Sequence, residues 1–212
     1  MNQSELQRML AYHSWSRGKY LDLFERLPWE VLTRKRGSTF ESIRNVYLHI
    51  LLVYAWWLEH YFRRRELKHV TSRLSEKRFD AFKSVAQIRA VDRKIDAVAK
   101  SVVAELGTKD LDRKRWDKYV RGKRAAITPR EVIWHMIEED FLHRGEIVCM
   151  LWQDNIEPPF TSVWWWEYDS DPERHQDLWY RYPDVPRGSP GGYVSAKEKP
   201  PKRRRSPSRS RG

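Results

Sequence analysis

Apolar residues recur every three or four positions along four stretches of the chain, which is the spacing of amphipathic helices. The second stretch is apolar nearly all round in its middle, as a central, buried helix would be. No stretch shows the period-two alternation of a half-buried strand. The sequence therefore predicts an all-α fold, a four-helix bundle, whose helices cover residues 4–27, 38–65, 84–106 and 128–154.

Helix start signals support this division. Ser4 is the expected N-cap of the first helix, and Ser38 or Thr39 that of the second. Thr128 followed by Pro129 is the clearest signal, because proline is favoured at the first helical position. The connections between the second and third and between the third and fourth helices are long, so at least one crossover is expected.

Three polar residues interrupt these apolar stripes. His49 lies in the middle of the most apolar segment, and Glu139 and His143 lie four residues apart on one face of the fourth helix. An ionised carboxylate at a core position is costly unless it is paired or binds a metal. Two histidines and one carboxylate suit a zinc site with an open position, or a non-haem iron site. His135, one turn before Glu139, is a candidate fourth ligand or outer partner.

Simpler interpretations exist for the same residues. A histidine on an apolar helix is often only a hydrogen-bonded core residue. Glu139 has two other candidate partners, Arg144 and His143 itself. His13 faces the predicted core on the first helix and is a candidate for contact with the site, whereas Arg17 is expected to be solvated. Cys149 is expected to be a small buried core residue.

Charge is concentrated at the end of the chain. Lys and Arg number 41 against 29 Asp and Glu, a net charge of +12. Residues 197–212 hold eight Lys/Arg and one Glu, or +7, which leaves +5 for residues 1–196. Such a segment cannot form a core, so we expect a disordered tail, either a solvated tail or an arm for nucleic acid. We divide the chain into a bundle (1–157), an aromatic and proline-rich extension packing on the bundle or a partner (158–196) and this tail.

Several protein classes are disfavoured. The single cysteine excludes a disulfide framework and cysteine-based zinc modules. No apolar run is long enough to span a membrane, and the N-terminus lacks a signal-peptide pattern, so a cytoplasmic protein is expected. The Trp164–Trp166 run suits structural packing better than base stacking. Association into a homodimer stays open.

The segment VIWHMIEEDFLHRGEIVCML, residues 132–151, resembles the last bundle helix of the DinB-like superfamily, which includes the damage-inducible DinB family. The stretches AYHSWSRGKYLDLFERL and SIRNVYLHILLVYAWWLEHYF resemble its first two helices. The resemblance implies a divalent metal, usually bound by three histidines, and carries ligand roles over to His49 and His143. Glu139 stands where the family has its middle histidine, so the expected set is His49, Glu139 and His143.

The resemblance also implies candidate activities. Related families include transferases and isomerases that use a low-molecular-weight thiol. A metal-dependent transferase that joins a thiol to a small electrophilic substrate is therefore the first hypothesis, and metal-assisted hydrolysis the second. The expected metal is zinc, iron(II), manganese or nickel. The alternative is a non-catalytic metal-binding or interaction protein whose basic tail, 197–212, binds nucleic acid weakly.

Overall fold

The computed structural model describes residues 2–120 and 123–170, and four long helices dominate this part of the chain. The all-α prediction is confirmed. No helix among the described residues is both long and apolar enough to cross a membrane. The long helices are α1 (Gln3–Phe24), α3 (Ile43–His60), α5 (Val85–Glu105) and α6 (Pro129–Gln153).

Short helices join the long ones. α2 (Trp29–Thr33) lies between α1 and α3, and α4 (Lys68–Arg73) lies between α3 and α5 with a 3-10 turn on each side. The connection around α4 is charged and aperiodic in sequence, yet it buries Leu67, Leu74 and Phe82. It therefore adds to the core as well as linking two helices.

The connection before α6 contains a β-hairpin that the sequence pattern does not predict. β1 (Arg115–Val120) and β2 (Lys123–Ile127) pair antiparallel, with Arg115 opposite Ile127. Backbone hydrogen bonds between two strands do not require the alternation that a sheet packed on a core shows. The sequence also predicts that Trp116 and Tyr119 anchor this connection, but their side chains lie outside the described part.

Side-chain caps fix where the long helices begin. Thr128 caps α6 in a capping box with Glu131, as the sequence predicts. The other two expected caps are wrong. Asn2, not Ser4, caps α1, because the N3 residue Glu5 completes its capping box. Ser42 caps α3, because residues 34–41 form a loop instead of helix.

The helices form a bundle in which consecutive long helices are not always neighbours. α3 packs most extensively against α6, and α1 against α5, while α3 with α5 and α1 with α6 complete the ring. α1 and α3 are therefore diagonal, as are α5 and α6, which is the crossover that the long connections allow. The core is continuous through all four helices.

Charged side chains are also buried in this core. On α1, Arg17 is 1% exposed; its Nε donates to Asp92 Oδ1 at 2.8 Å and its Nη1 to Asp140 Oδ2 at 3.0 Å. The Nε atom of Arg144 lies 2.6 Å from Asp140 Oδ1, and the Nδ1 atom of His13 lies 3.0 Å from Asp140 Oδ2. The expectation of a solvated Arg17 is thus wrong. We call these five residues the arginine network.

Asp140 is the centre of the arginine network. Burial by itself raises the pKa of a carboxyl group, but Arg144, His13 and Arg17 together hold the pKa of Asp140 well below its usual range. Asp140 is fully buried and stays ionised because the two arginines and the hydrogen bond with His13 favour its charged form. The network thus places an ionised group inside the bundle without leaving it unpaired.

The last described residues begin the extension. Residues 1–166 form one compact unit and residues 167–212 a second, of which the structure describes 167–170. In the first unit, the Tyr12 hydroxyl donates to the Thr161 carbonyl at 2.6 Å, while Trp164 is 68% exposed. α7 (Val163–Ser170) is the last described helix. The expected tail, 197–212, and most of the extension lie outside the described residues.

Candidate metal centre

Three side chains from two adjacent helices converge at one point of the α3–α6 contact. His49 comes from α3, and Glu139 and His143 come from successive turns of α6. One ligand atom from each lies within 4.8 Å of the other two. Glu139 Oε2 lies 3.2 Å from His143 Nε2 and 3.7 Å from His49 Nε2. The structure therefore brings together the three residues that the sequence nominates as ligands.

Helix geometry explains this convergence. Positions 139 and 143 are one turn apart, so both side chains project from the same face of α6. That face packs against α3, where His49 is partly buried among apolar neighbours. The cluster lies near the edge of the bundle and not at its centre, because Glu139 keeps 23% of its side chain exposed.

The orientation of His143 is fixed from its far side. Its Nδ1 atom lies 3.0 Å from Glu146 Oε2, and Glu146 Oε1 accepts the backbone N–H of Thr39 at 2.6 Å. Burial tends to raise the pKa of Glu146, but the hydrogen bonds from His143 and Thr39 lower it below its usual value. Glu146 is thus ionised and positioned to orient the His143 ring through its Nδ1 atom.

The separations within the cluster can be compared with those around a metal ion. Glu139 Oε2 lies 3.2 Å from His143 Nε2, the ring nitrogen that Glu146 does not contact. Ligand atoms around a tetrahedral zinc are about 3.4 Å apart, given metal–ligand distances of about 2.0–2.1 Å. The 3.2 and 3.7 Å separations from Glu139 bracket that value, and all three ligand atoms lie within 4.8 Å of one another, so small side-chain movements would bring them onto one small divalent ion.

Phe40 covers the histidine pair. Its ring stacks on His49 with centroids 3.9 Å apart and meets the edge of His143 at 5.4 Å. Burial, together with the neighbouring His143, lowers the pKa of His49, which favours the neutral form that a metal requires. The Nδ1 atom of His49 lies 3.6 Å from Glu76, which is longer than a direct hydrogen bond.

The loop of residues 34–41 carries Thr39 and Phe40 to this position. Arg34 lies 2.8 Å from Asp154 at the end of α6, and Arg36 pairs with the same carboxylate. Glu41 ends the loop in the left-handed region, with φ of 65°, directly before the Ser42 cap of α3. The loop is therefore fastened to α6 at one end and to α3 at the other.

The two secondary candidates take different places. His135 lies 3.9 Å from Glu139 Oε1 on the outer side of the cluster, with 40% of its side chain exposed. His13 instead belongs to the arginine network, where it meets Asp140 at 3.0 Å and stacks edge-on against Phe141. Within the described part of the chain, the polar and ring contacts of His13 include none of the three cluster residues.

The sequence leaves two alternative partners for Glu139, Arg144 and His143. Arg144 pairs with Asp140, so the interpretation of Glu139 as a core ion pair with Arg144 is wrong. Within the described part of the chain, the ion-pair partners of Glu139 are His49, His135 and His143. The pairing with His143, at 3.2 Å, is therefore present.

A cleft of about 690 Å³ opens beside the cluster. His143 and Glu146 form part of its wall, together with Thr39 and Met150. Cys149 also lies on this wall and is exposed, so the expectation of a buried cysteine is wrong. The cleft has the size of a small-molecule site, and His143 is the candidate ligand that lines it.

Sequence reasoning missed the supporting residues of the cluster. Glu146 had a detectable signal, because it lies three residues after His143 on the same helix and so shares its face. Thr39, Phe40 and Glu76 had none, since they lie in the loop of residues 34–41 or in a 3-10 turn. Their positions depend on how these connections fold over the α3–α6 contact.

The whole described bundle corresponds to one known family. The sequence model described as DinB family matches residues 1–175, which is more than four fifths of the chain. No curated protein matches the chain. The matched range includes α1 to α7 and all three residues of the cluster. On this match, with a helical bundle and a His/Glu cluster between its helices, the chain belongs to the DinB family.

Proposed function

We propose that this protein binds a divalent metal ion through His49 Nε2, Glu139 and His143 Nε2. One observation carries the proposal: one ligand atom each of His49, Glu139 and His143 converges from two adjacent helices, with Glu139 Oε2 3.2 Å from His143 Nε2 and 3.7 Å from His49 Nε2. The two-nitrogen, one-oxygen set suits zinc, iron(II) or manganese, and nickel is compatible with it. Three protein ligands leave a position for an exogenous ligand.

The surrounding residues support a reaction with a small molecule. Our first hypothesis for this reaction is the transfer of a thiol to a small electrophile, and our second is metal-assisted hydrolysis. A divalent ion in such a site lowers the pKa of a thiol or water that binds to it. Glu146 orients the His143 ring through Nδ1, and the Phe40 ring stacks on His49. The cleft beside His143 offers room for a small molecule next to one of the three proposed ligands.

The alternative is a metal-binding or interaction protein without turnover. Nucleic-acid binding by residues 197–212 stays a prediction, because these residues lie outside the described part. A cytoplasmic location is likewise a proposal. A panel of thiols with small electrophiles, and of esters, offered to the metal-loaded protein separates the two: turnover supports the enzyme, and its absence with metal bound supports the alternative.

Metal content tests the site itself. Purified wild type should contain about one divalent ion per chain by elemental analysis, since the three donors form one site. His143→Ala should lose that ion because it removes a ligand. His60→Ala is the matched control: His60 lies on α3 but outside the cluster, so its metal content should equal that of the wild type. Wild type without metal after titration with zinc, iron(II) and manganese would contradict the proposal.

Glu146 should tune the affinity without being a ligand. Glu146→Ala should weaken metal binding by about 10–100-fold, because His143 loses the partner that orients its ring. Glu146→Gln should weaken it less, since the amide oxygen can still accept the Nδ1–H bond. Competition with a chelator measures both. Identical affinities for wild type and Glu146→Ala would show that Glu146 does not orient His143.

A further inference from the structure

The outward face of α6 is apolar where a surface helix is normally polar. Trp134, Phe141, Leu142 and Trp152 are 48, 46, 64 and 52% exposed. Charged side chains at the exposed positions of α6 are confined to Glu131 and Glu138. The three candidate ligands lie on the side of α6 that packs on α3, away from this face, of which Leu142 also lines the cleft beside His143.

The exposed area is large for a monomer of this size. At roughly 200–250 Å² for a fully exposed side chain of this kind, the four residues together expose roughly 450 Å². The largest apolar patch on an ordinary monomer covers about 300–600 Å² and is often functional. Two such faces in contact would bury roughly 900 Å² from these residues alone. Flanking residues would have to supply the remainder to reach the lower end of the standard interface size, about 1,200 Å².

The sequence of this face is complementary to itself. Trp134, Phe141, Gly145 and Trp152 follow one another at steps of seven, four and seven residues. Those steps keep all four on one stripe of a helix. The order of steps reads the same in both directions, so the stripe matches a second copy of itself running antiparallel.

We propose that α6 packs antiparallel against α6 of a second copy, about a twofold axis level with His143. Each residue then faces the residue of the second copy that lies the same number of positions from 143 in the opposite direction along the helix. The Phe141 ring meets the bare backbone at Gly145 of the second copy, and Trp134 meets Trp152 of the second copy. Both contacts occur twice, as a twofold interface requires.

Charge and local packing agree with this arrangement. Glu138 faces Val148 of the second copy, and the two Glu138 residues lie about 15 Å apart along the axis, so no like charges are opposed. A Cβ atom built on Gly145 meets nothing within 4 Å of its own chain, so glycine is not required there by the monomer. The second copy gives a reason for it, because a ring against a helix backbone needs a residue without a side chain.

The mass of the full chain in solution tests the proposal. Light scattering during gel filtration should give about twice 25.7 kDa for the wild type. Gly145→Lys should return the protein to the monomer mass, because the lysine displaces Phe141 of the second copy. Gly18→Lys is the matched control, since Gly18 is also a helical glycine with nothing within 4 Å and should leave the dimer intact.

Two outcomes overturn the proposal. A wild type that remains monomeric up to high concentration would mean that another segment or partner covers this face. A Gly145→Lys variant that remains dimeric would place the interface on another surface. Retained helical content in both variants shows that they fold. Neither outcome bears on the metal proposal, which concerns the opposite face of α6.

The single cysteine provides a second measurement. Cys149 is exposed and lies six residues from position 143. In the proposed dimer the two Cys149 residues are therefore about 18 Å apart along the helix axis. Spin labels on Cys149 should therefore give an interspin distance of roughly 20–30 Å once linker length is added. Distances beyond about 40 Å, more than the length of α6, would exclude the antiparallel pairing even in a dimer.

Discussion

Asp140→Ala should lower the free energy of unfolding by about 3–5 kcal/mol, one of the largest effects of any single substitution in this protein. Asp140 is the carboxylate shared by two buried arginines, and its removal leaves Arg144 without a carboxylate partner inside the bundle. Arg17 keeps Asp92 at 2.8 Å and Asp96 at 3.4 Å but loses its ion pair with Asp140. Chemical denaturation of wild type and variant measures the difference.

A surface ion pair provides the control for this prediction. Asp112 pairs with Arg130 at 2.7 Å with most of its side chain exposed. Asp112→Ala should unfold at nearly the wild-type denaturant concentration, because exposed pairs contribute little. If Asp140→Ala lowered the free energy of unfolding as little as Asp112→Ala, the ion pairs of the arginine network would not stabilise the core as proposed.

Glu139→Ala should abolish stoichiometric metal binding. The loss should exceed the roughly 10–100-fold effect of an outer partner such as Glu146, because a ligand itself is removed. Without metal, the same variant should unfold near the wild-type temperature, since Glu139 is partly exposed and its ion-pair partners among the described residues are histidines. Zinc titration with melting curves at each step measures both effects.

Further variants at the site complete this test. Glu139→His should bind zinc again, because it supplies a third imidazole at the same position. Glu138→Ala is the control, since Glu138 lies on the exposed face of α6 and should leave metal content unchanged. Equal metal content in wild type and Glu139→Ala would remove Glu139 from the site and make His135 the next candidate ligand.

The contrast between positions 139 and 140 shows how far sequence reasoning reaches. Two acidic residues stand next to each other on α6, and successive residues of a helix point about 100° apart. Glu139 therefore faces α3 and the histidines, while Asp140 faces α1 and the arginines. The pattern predicted an inward carboxylate on this turn, but it did not show that there were two with different partners.

Arg17 was misjudged because its partners are distant in the sequence. A lone arginine on an amphipathic helix is normally solvated, and nothing local marks it as buried. Its burial depends on carboxylates that arrive from α5 and α6, 75 and 123 residues later in the chain. Such pairings are long-range and leave no trace in local periodicity.

The sequence by itself determined the number of long helices, the Thr128 start of α6, and the inward face shared by Glu139 and His143. These follow from helical spacing and capping chemistry, which act within a few residues. Tertiary structure alone decided that His49 meets that face, that residues 34–41 bring Thr39 and Phe40 to it, and that Asp140 pairs with arginines. The physical reason is that a helix fixes the direction of its own side chains, while the crossover connections decide which other helix lies opposite them.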